Sequence, residues 1–356
     1  MRSIFSILSF ALVAYGVLAQ TGSGPGSRKH STTVDSIPLH ESSRRNLASE
    51  IGGAFTNPVK CDADGNLYIR KYATDRPLLD PVVKIDGEGK RVASFDPVAF
   101  SELHLDRAHA FTPAADGGLY QIASSGIDEP KVYLLHFSAD GSPASPIHLE
   151  AEFDPYSFAV FANGNLLVSG FQRDVVKPSG QARSFTALFS ADGRMLAQLS
   201  FETEETTRPG GKPAASAAPH SAQPPVPTLD LADAEAGADG NVYALRRSSP
   251  ALIYVISPAG KILRTLKVQA AAAGVMPSAF HVSANRVAVS FWDEEKHSQA
   301  IVVSDAQTGG RIAIYSDSGD LGAMFACYSA DEGVFTFLNL GEGNALEVIR
   351  AEAGNL

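Results

Sequence analysis

Short apolar runs alternate with polar positions along most of the chain, and glycine turns separate these runs. Residues 61–69 read Cys-Asp-Ala-Asp-Gly-Asn-Leu-Tyr-Ile, so an Asp-Gly pair lies between two apolar stretches. Glycine takes positive φ without a Cβ clash, and Asp-Gly between alternating runs is typical of a tight β-hairpin. The same pattern recurs at 114–120, 161–167 and 237–243, with weaker copies at 282–287 and 329–334. The pattern predicts a repeated β-hairpin.

A second glycine turn follows each hairpin and sets the period of the repeat. It lies at Gly87, Gly141, Gly193, Gly260 and Gly309, each after an apolar run. Most intervals are about 50 residues, the period of propeller blades that have four strands each. We therefore predict an all-β fold, a six-bladed β-propeller of four-stranded antiparallel blades over residues 34–353.

The interval between Gly193 and Gly260 is longer than the others because of a biased segment. Residues 203–228 are rich in Pro, Ala, Ser and Thr and have no alternating apolar run. Such a segment has little to bury, and proline cannot donate to a sheet ladder. We predict a disordered insertion there rather than a seventh blade.

The last repeat has three predicted strands where the others have four. An extra strand is predicted near residues 33–39, ahead of the first repeat, with a connecting loop over 44–53. Pairing of this N-terminal strand with the last blade would close the ring and leave no long exposed edge between its ends.

The first 33 residues read as export and leader sequence. Arg2 precedes an apolar run from Ile4 to Leu18, and Val17-Leu18-Ala19 suits a cleavage site, so residues 1–19 are predicted to be a signal peptide. The alternative is an uncleaved membrane anchor. Residues 20–33 are mostly Gly, Ser, Thr and basic residues and are predicted to form a flexible leader. We expect a secreted or periplasmic protein with no membrane span after cleavage.

Composition excludes some classes of function. The chain has 356 residues, 44% hydrophobic and 19% charged, which is enough to bury a core. Its formal charge of -10 and the absence of a Lys/Arg run argue against a nucleic-acid partner.

The combination of turns resembles a known family. Asp-Gly-Asn-Leu-Tyr at 64–68, followed by Ile-Asp-Gly-Glu-Gly-Lys at 85–90, is similar to the NHL-type six-bladed β-propellers. The wider group includes streptogramin-lyase-like and gluconolactonase-like proteins. The resemblance extends over about residues 34–353 and rests on turns and strands, which specify fold more than function.

Two cysteines, Cys61 and Cys327, fall in the predicted innermost strands of the first and last repeats. These repeats are neighbours in a closed ring, and an exported protein can meet an oxidising compartment. A disulfide would lock the ring closed. Two separate buried thiols are the other interpretation, and both stay open.

No known catalytic motif is present. The sequence has no Gly-x-Ser-x-Gly, His-Glu-x-x-His, Cys-x-x-Cys or phosphate-binding glycine loop. Whether the protein is an enzyme is therefore uncertain, and we favour a binding or interaction module.

Propeller geometry places the ligand-binding candidates on one rim. Both glycine turns of a blade lie on one side of the ring, so the remaining connections form the opposite rim, where ligands meet the channel mouth. The candidates there are Arg70, Tyr72, Arg173, Arg246 and Trp292. They could bind an anionic or carbohydrate ligand or a protein. Alternatively, they are ordinary solvated strand ends.

A metal site is what the resemblance to gluconolactonase-like propellers implies. The candidate ligands are Asp154, Asp233 and His281, at the predicted blade entries. Calcium or another divalent metal would suit them, although no cofactor is required by the sequence and all three could be loop residues. The alternative function is therefore a metal-dependent lactonase-like or lyase-like enzyme with its site at the central channel.

Overall fold

The computed structural model describes residues 36–51, 55–76, 78–126, 130–150, 153–173, 182–199, 231–272, 274–317, 319–322, 324–342 and 345–354. The predicted signal peptide (1–19), leader (20–33) and Pro/Ala-rich insertion (203–228) lie outside these residues.

The regular secondary structure of the described chain is almost entirely β-strand. They are β1 (Ile37–Asn46), β2 (Phe55–Cys61), β3 (Leu67–Lys71), β4 (Val82–Ile85), β5 (Arg91–Phe95), β6 (Arg107–Pro113), β7 (Leu119–Ser125), β8 (Lys131–Phe137), β9 (Ile147–Leu149), β10 (Asp154–Val160), β11 (Leu166–Arg173), β12 (Ala182–Phe189), β13 (Met195–Gln198), β14 (Asp233–Ala236), β15 (Val242–Arg246), β16 (Ala251–Ile256), β17 (Ile262–Val268), β18 (Pro277–Ser283), β19 (Arg286–Asp293), β20 (Ser298–Asp305), β21 (Arg311–Asp317), β22 (Met324–Ser329), β23 (Val334–Leu340) and β24 (Leu346–Ala353). One α-helical turn, α1 (Ala48–Ile51), and two short 3-10 helices, Pro97–Ala99 and Ser101–Leu103, complete the described secondary structure.

The strands form a propeller arrangement of four-stranded sheets. Four sheets contain β2–β5, β6–β9, β10–β13 and β14–β17, each in sequential order. An eight-stranded sheet has the order β18-β19-β20-β21-β1-β24-β23-β22. The first strands contact one another in the cyclic order β2, β6, β10, β14, β18, β22 and back to β2. The predicted four-stranded antiparallel blades are confirmed, whereas their number stays a prediction because the last two sets of strands share one sheet.

The N-terminal strand pairs with the last strand of the final repeat, as predicted, but it is longer and lies later in the chain. β1 pairs antiparallel with β24 from Leu39 to Asn46 and makes a short parallel pairing with β21. The loop predicted over 44–53 is therefore wrong for its first residues, which belong to β1, and Ala48–Ile51 is helical. Most side chains of β1 are exposed, so its sequence lacks the alternation of a half-buried strand.

The core lies between neighbouring sheets. Between the first two blades, Tyr68 and Phe95 stack with ring centroids 5.9 Å apart, and Phe95 meets Phe137 edge to face at 5.9 Å. These side chains are fully buried. Aromatic and aliphatic pairs across facing sheets supply most of the buried apolar area that stabilises such a ring.

The repeated glycine turns have the geometry that the sequence predicted. Gly65 and Gly164 have φ of 76° and 83°, a region that favours glycine. The Asp62 carboxylate accepts hydrogen bonds from the backbone N–H of Asp64 (3.1 Å) and Asn66 (2.9 Å). The short polar side chain thus holds its own turn, as Asp and Asn do in such turns.

Cys61 and Cys327 form a disulfide, with Cα atoms 6.1 Å apart. Of the two interpretations left open by the sequence, the structure shows the cross-link. It joins β2, the first strand of the first repeat, to β22, the first strand of the last repeat, across 266 residues of sequence. The disulfide and β1 therefore both join early strands of the described chain to late ones.

In the portion of the chain that the structure describes, no helix has the length and apolar character needed to span a membrane.

Candidate binding site at the central channel

Alternation of strand direction gives the ring two rims of different character. We call turn rim the side that carries the glycine turns, such as residues 62–66, 114–118, 161–165 and 237–241. We call loop rim the opposite side, with connections such as 72–81, 96–106, 247–250, 269–276 and 294–297. The first strand of each blade begins at the loop rim and ends at the turn rim.

Arg70, a predicted ligand-binding residue, is buried between the first two blades. Its guanidinium donates hydrogen bonds to the backbone carbonyls of Ala108 (3.1 Å) and His109 and lies 5.3 Å from the ring centroid of Phe111. Burial lowers the pKa of Arg70 to about 10, a shift that Asp80 opposes. The side chain therefore ties β3 to the first strand of the next blade.

The other predicted ligand-binding residues are distributed around the loop rim. Tyr72 and Arg246 are exposed at the ends of their blades, and Trp292 is half-buried near the end of β19, opposite Gln299. The side chain of Arg173 lies outside the described residues. These residues come from separate blades, and their role in ligand binding stays a prediction.

Large exposed apolar side chains mark the loop rim. Among the described residues, the large exposed apolar side chains form two groups. One group lies on the outermost strands of the blades, and the other lies in the loop-rim connections or at the strand ends beside them. The loop-rim members are Tyr72, Leu78, Val98, Phe171, Met276 and Leu340. The other exposed members, Val92, Met195, Leu196, Leu263 and Ile312, lie on outermost strands, close to the second glycine turns of their blades.

The predicted metal ligands are not grouped into a metal site. Asp154, Asp233 and His281 lie on three consecutive first strands, β10, β14 and β18. Over the described ranges, no three His, Cys, Asp or Glu side chains come together in a way that could hold a metal ion. Metal binding itself stays a prediction.

A lysine that was not among the predicted site residues, Lys60, binds the carboxylate of the predicted metal ligand Asp233. The Lys60 ammonium lies 2.6 Å and 2.7 Å from the two carboxylate oxygens of Asp233 and 3.5 Å from Glu235 Oε1. Lys60 is on β2, and β14 is three first strands away in either direction around the ring. Its side chain, 5% exposed, therefore crosses the channel to the opposite blade.

Glu235 connects this ion pair to the next blade. Its Oε2 lies 3.1 Å from His281 Nδ1, a close contact, and accepts a hydrogen bond from the backbone N–H of Val282 (2.9 Å). The side chains of Glu235 and His281 are only 13% and 10% exposed. Three first strands thus contribute charged or titratable groups to one buried cluster, Lys60, Asp233, Glu235 and His281, which we call the channel cluster.

The charges of the channel cluster stabilise one another against the cost of burial. Burial alone would raise the pKa of Glu235, but the charges of His281 and Lys60 outweigh it and lower that pKa. Burial would likewise lower the pKa of Lys60, yet the carboxylates of Asp233 and Glu235 raise it. The ionised forms are favoured because each has an opposite charge within contact distance.

Asp233 is the part of the channel cluster that solvent reaches, with a side chain 31% exposed. Asp233 Oδ1 also accepts hydrogen bonds from the backbone N–H of Ala234 (2.8 Å) and from Ser157 Oγ (3.3 Å). Asp233 is the first residue of β14, so this exposed oxygen pair lies on the loop-rim side of the channel.

Repeat alignment is the signal that could have identified Lys60 and Glu235. Lys60 pairs with Tyr68 and Glu235 pairs with Tyr243, and both tyrosines end a Gly-Asn-apolar-Tyr turn. The two residues therefore occupy the same position of the repeat with opposite charges. A buried charged residue is unusual unless it is paired.

Comparison with known proteins gives no family. No model of a protein family matches the chain, and no curated protein matches it. Among solved structures, it is similar to a protein of unknown function from Bacteroides caccae, with 13% identity over 73% of this chain and 80% of that one and a TM-score of 0.44. It is also similar to the Neurospora crassa Pan2 WD40 domain, with 11% identity over 91% of this chain and 98% of that one and a TM-score of 0.48. A third similar structure is YCF48 bound to D1 peptide, with 10% identity over 90% of this chain and 98% of that one and a TM-score of 0.45. Similarities this low assign no function.

Proposed function

We propose that this protein is a secreted β-propeller that acts as a binding or interaction module and holds its ligand at the loop rim, over the channel mouth. The observation that carries this proposal is the group of large exposed apolar side chains at the loop rim: Tyr72, Leu78, Val98, Phe171, Met276 and Leu340. Exposed apolar area rimmed by polar groups is typical of interaction surfaces.

The chemistry of the loop rim suits a protein, an anionic small molecule or a carbohydrate. Tyr72 and Trp292 offer ring faces, and Arg246 with its exposed neighbour Arg247 offers planar donors for a carboxylate. Binding would then involve several blades at once, because these residues belong to the first, fourth and fifth repeats.

We infer that the propeller has six blades of the NHL-like kind. In this interpretation the eight-stranded sheet is two blades, β18–β21 and β22–β24 with β1, joined by the short parallel pairing of β1 with β21. Six first strands in cyclic contact support this number.

Export is proposed from two features. Residues 1–19 have the composition of a signal peptide. The Cys61–Cys327 disulfide is of the kind that persists in an oxidising compartment. Fractionation of cells that express the full chain, followed by N-terminal sequencing, tests this part: a cytoplasmic, uncleaved protein would overturn it.

The alternative, a metal-dependent lactonase-like or lyase-like enzyme, has less support because the Asp233 carboxylate is bound by Lys60. Elemental analysis of protein purified without chelator, together with calcium and manganese titration of its Tm, distinguishes the two functions. One equivalent of bound metal with a raised Tm would favour the enzyme.

Photo-crosslinking tests the binding proposal directly. A photoreactive amino acid at Tyr72 on the loop rim is compared with one at Asp64, which is exposed on the turn rim. Both variants are expressed in the full chain and irradiated in the native host extract. We expect specific adducts from position 72 only; equal capture from both positions, or capture from position 64 alone, would contradict a loop-rim site.

A further inference from the structure

The contact between Lys60 and Asp233 differs from a surface ion pair because the lysine side chain is only 5% exposed. Both carboxylate oxygens of Asp233 lie within 2.7 Å of the ammonium nitrogen. Lys60 is buried and joins two blades on opposite sides of the channel. An amine and a carboxyl group held face to face in this way are positioned to react with each other, because proximity replaces a bimolecular encounter.

The two oxygens of Asp233 have different surroundings. Oδ1 accepts hydrogen bonds from the backbone N–H of Ala234 (2.8 Å) and from Ser157 Oγ (3.3 Å), in addition to its contact with Lys60. Oδ2 makes the shorter contact with Lys60, 2.6 Å. Donors fixed on one oxygen stabilise negative charge there when a nucleophile adds to the carboxyl carbon, as in an oxyanion hole. Oδ2 is then the oxygen that leaves.

Glu235 is placed to move the proton that such a reaction requires. Its Oε1 lies 3.5 Å from Lys60 Nζ, and its Oε2 lies 3.1 Å from His281 Nδ1. A general base must lie near the proton that it removes, and catalytic contacts are often loose before reaction. Transfer of one proton from Lys60 Nζ to Glu235 over this distance would remove one positive and one negative charge from the channel cluster.

We propose that Lys60 and Asp233 become joined by an intramolecular isopeptide bond, between Lys60 Nζ and Asp233 Cγ, with Glu235 as the proton shuttle. Lys60 passes one proton to Glu235, and the neutral amine adds to Asp233 Cγ. The Cγ–Oδ2 bond then breaks. Glu235 returns its proton to the departing oxygen, which also takes one from the nitrogen, so one water leaves.

This step balances without any further reactant. The ammonium and the carboxylate become a neutral amide that keeps one N–H, and the other two hydrogens leave with Oδ2. No oxidant or reductant is consumed. The product also removes two opposite charges from a buried position, where each is costly to keep out of water. The cross-link would tie the first blade to the fourth across the channel.

Intact-mass measurement of the wild-type protein tests the proposal without any variant. The protein is denatured and its disulfide reduced before measurement, so that only a stable covalent link affects the mass. We expect the mass of the mature chain less one water. Peptide mapping should then show Lys60 and Asp233 in one branched peptide. A mass equal to the sum of the residues would overturn the proposal, and so would a link mapped to Glu235 instead of Asp233.

Two variants and an internal control sharpen the result. Lys60→Arg keeps the cation but cannot form the amide, so its mass should show no loss of water. Glu235→Gln keeps the shape of the shuttle but cannot take a proton, and the linked fraction should fall at least tenfold in freshly made protein. Full linkage in Glu235→Gln would overturn the role of Glu235. Lys84 and Asp62 form another lysine–aspartate ion pair, at 3.0 Å, and should stay unlinked in the same peptide map.

Discussion

The turn rim and the loop rim lie at opposite ends of the same strands, but their connections differ in length and in exposed apolar side chains. On the turn rim, residues 62–66, 161–165 and 237–241 repeat one short geometry, and their Asp or Asn side chains bind their own backbone. On the loop rim, connections range from the tight 294–297 to the long 96–106, and several expose apolar side chains. The short, repeated connections and the long, variable ones therefore lie on opposite sides of the ring.

Contacts between neighbouring blades strengthen this contrast. On the turn rim, Tyr68 Oη donates to the Gly117 carbonyl of the next blade at 2.9 Å, and Lys84 Nζ donates to the same oxygen at 3.2 Å. Further along, Arg264 Nε donates to the Ala306 carbonyl at 3.0 Å. The turn rim is therefore part of the structural frame, and changes there should cost stability, whereas exposed loop-rim changes should not.

The largest expected effect comes from the disulfide, whose Cys61 directly precedes a turn-rim hairpin. Replacing both cysteines with serine, Cys61→Ser with Cys327→Ser, should reduce the free energy of unfolding by about 3 kcal/mol, because the link constrains the unfolded chain. Urea denaturation under oxidising conditions measures it. Under reducing conditions the wild-type protein and the double variant should have nearly the same midpoint, and a persistent difference would assign the effect to packing instead.

A smaller loss is expected for Asp62→Ala on the turn rim. The Asp62 carboxylate accepts from Asn66 and Tyr68 and pairs with Lys84 at 3.0 Å, and its side chain is 10% exposed. Its removal leaves buried donors without a partner, which should cost about 2 kcal/mol in urea denaturation. Asp64→Ala in the same turn is the matched control and should change stability by less than about 0.5 kcal/mol. Equal effects would remove the special role assigned to Asp62.

The pH dependence of stability should reflect the same frame. Burial alone would raise the pKa of Asp239, but hydrogen bonds from Asn241 and Tyr243 and the pairing with Arg264 lower it. A carboxyl group with a lowered folded-state pKa stabilises the fold above its unfolded value, about 3.9, and loses that contribution as the pH falls through the folded pKa. Asp239→Asn should therefore flatten the fall in stability below about pH 4. Thermal unfolding between pH 3 and 7 checks this, and an unchanged slope would contradict it.

The smallest effect on stability is expected on the loop rim. Tyr72 is 44% exposed, so Tyr72→Ser should shift the free energy of unfolding by no more than about 0.5 kcal/mol. The same variant should lower capture of the native partner in a pull-down from host extract. A large loss of stability with unchanged capture would reverse the contrast between the rims.

Local features of the fold could be predicted from the sequence, whereas long-range side-chain pairs could not. The hairpin at 61–69 is encoded by adjacent residues, so its turn and strands follow from the Asp-Gly pair. The strand that continues through Arg44 and Arg45 escaped prediction because an outermost strand is exposed and is defined by its partner β24 rather than by alternation. The disulfide could be stated only as one of two outcomes, since strand order alone does not give the register of Cys61 and Cys327.

The channel cluster shows the same limit more clearly. Asp233 and His281 were identified as candidates, but Lys60 lies on the far side of the ring, and no local pattern joins residues 60 and 233. Their contact depends on the diameter of the channel and on which blades face each other. In the sequence, this pairing is indicated only by the opposite charges of Lys60 and Glu235 at the same position of the repeat.

The pairing of β1 with β24 also determines when the protein can become complete. Ser42 Oγ donates to the Arg350 carbonyl, 308 positions later in the chain. The first described strand therefore stays without its antiparallel partner until β24 has been synthesised. Contacts of such long sequence separation slow folding, and an unpaired strand edge is prone to wrong association during the wait. A chain truncated before residue 346 would lack β24, and β1 would then have no antiparallel partner.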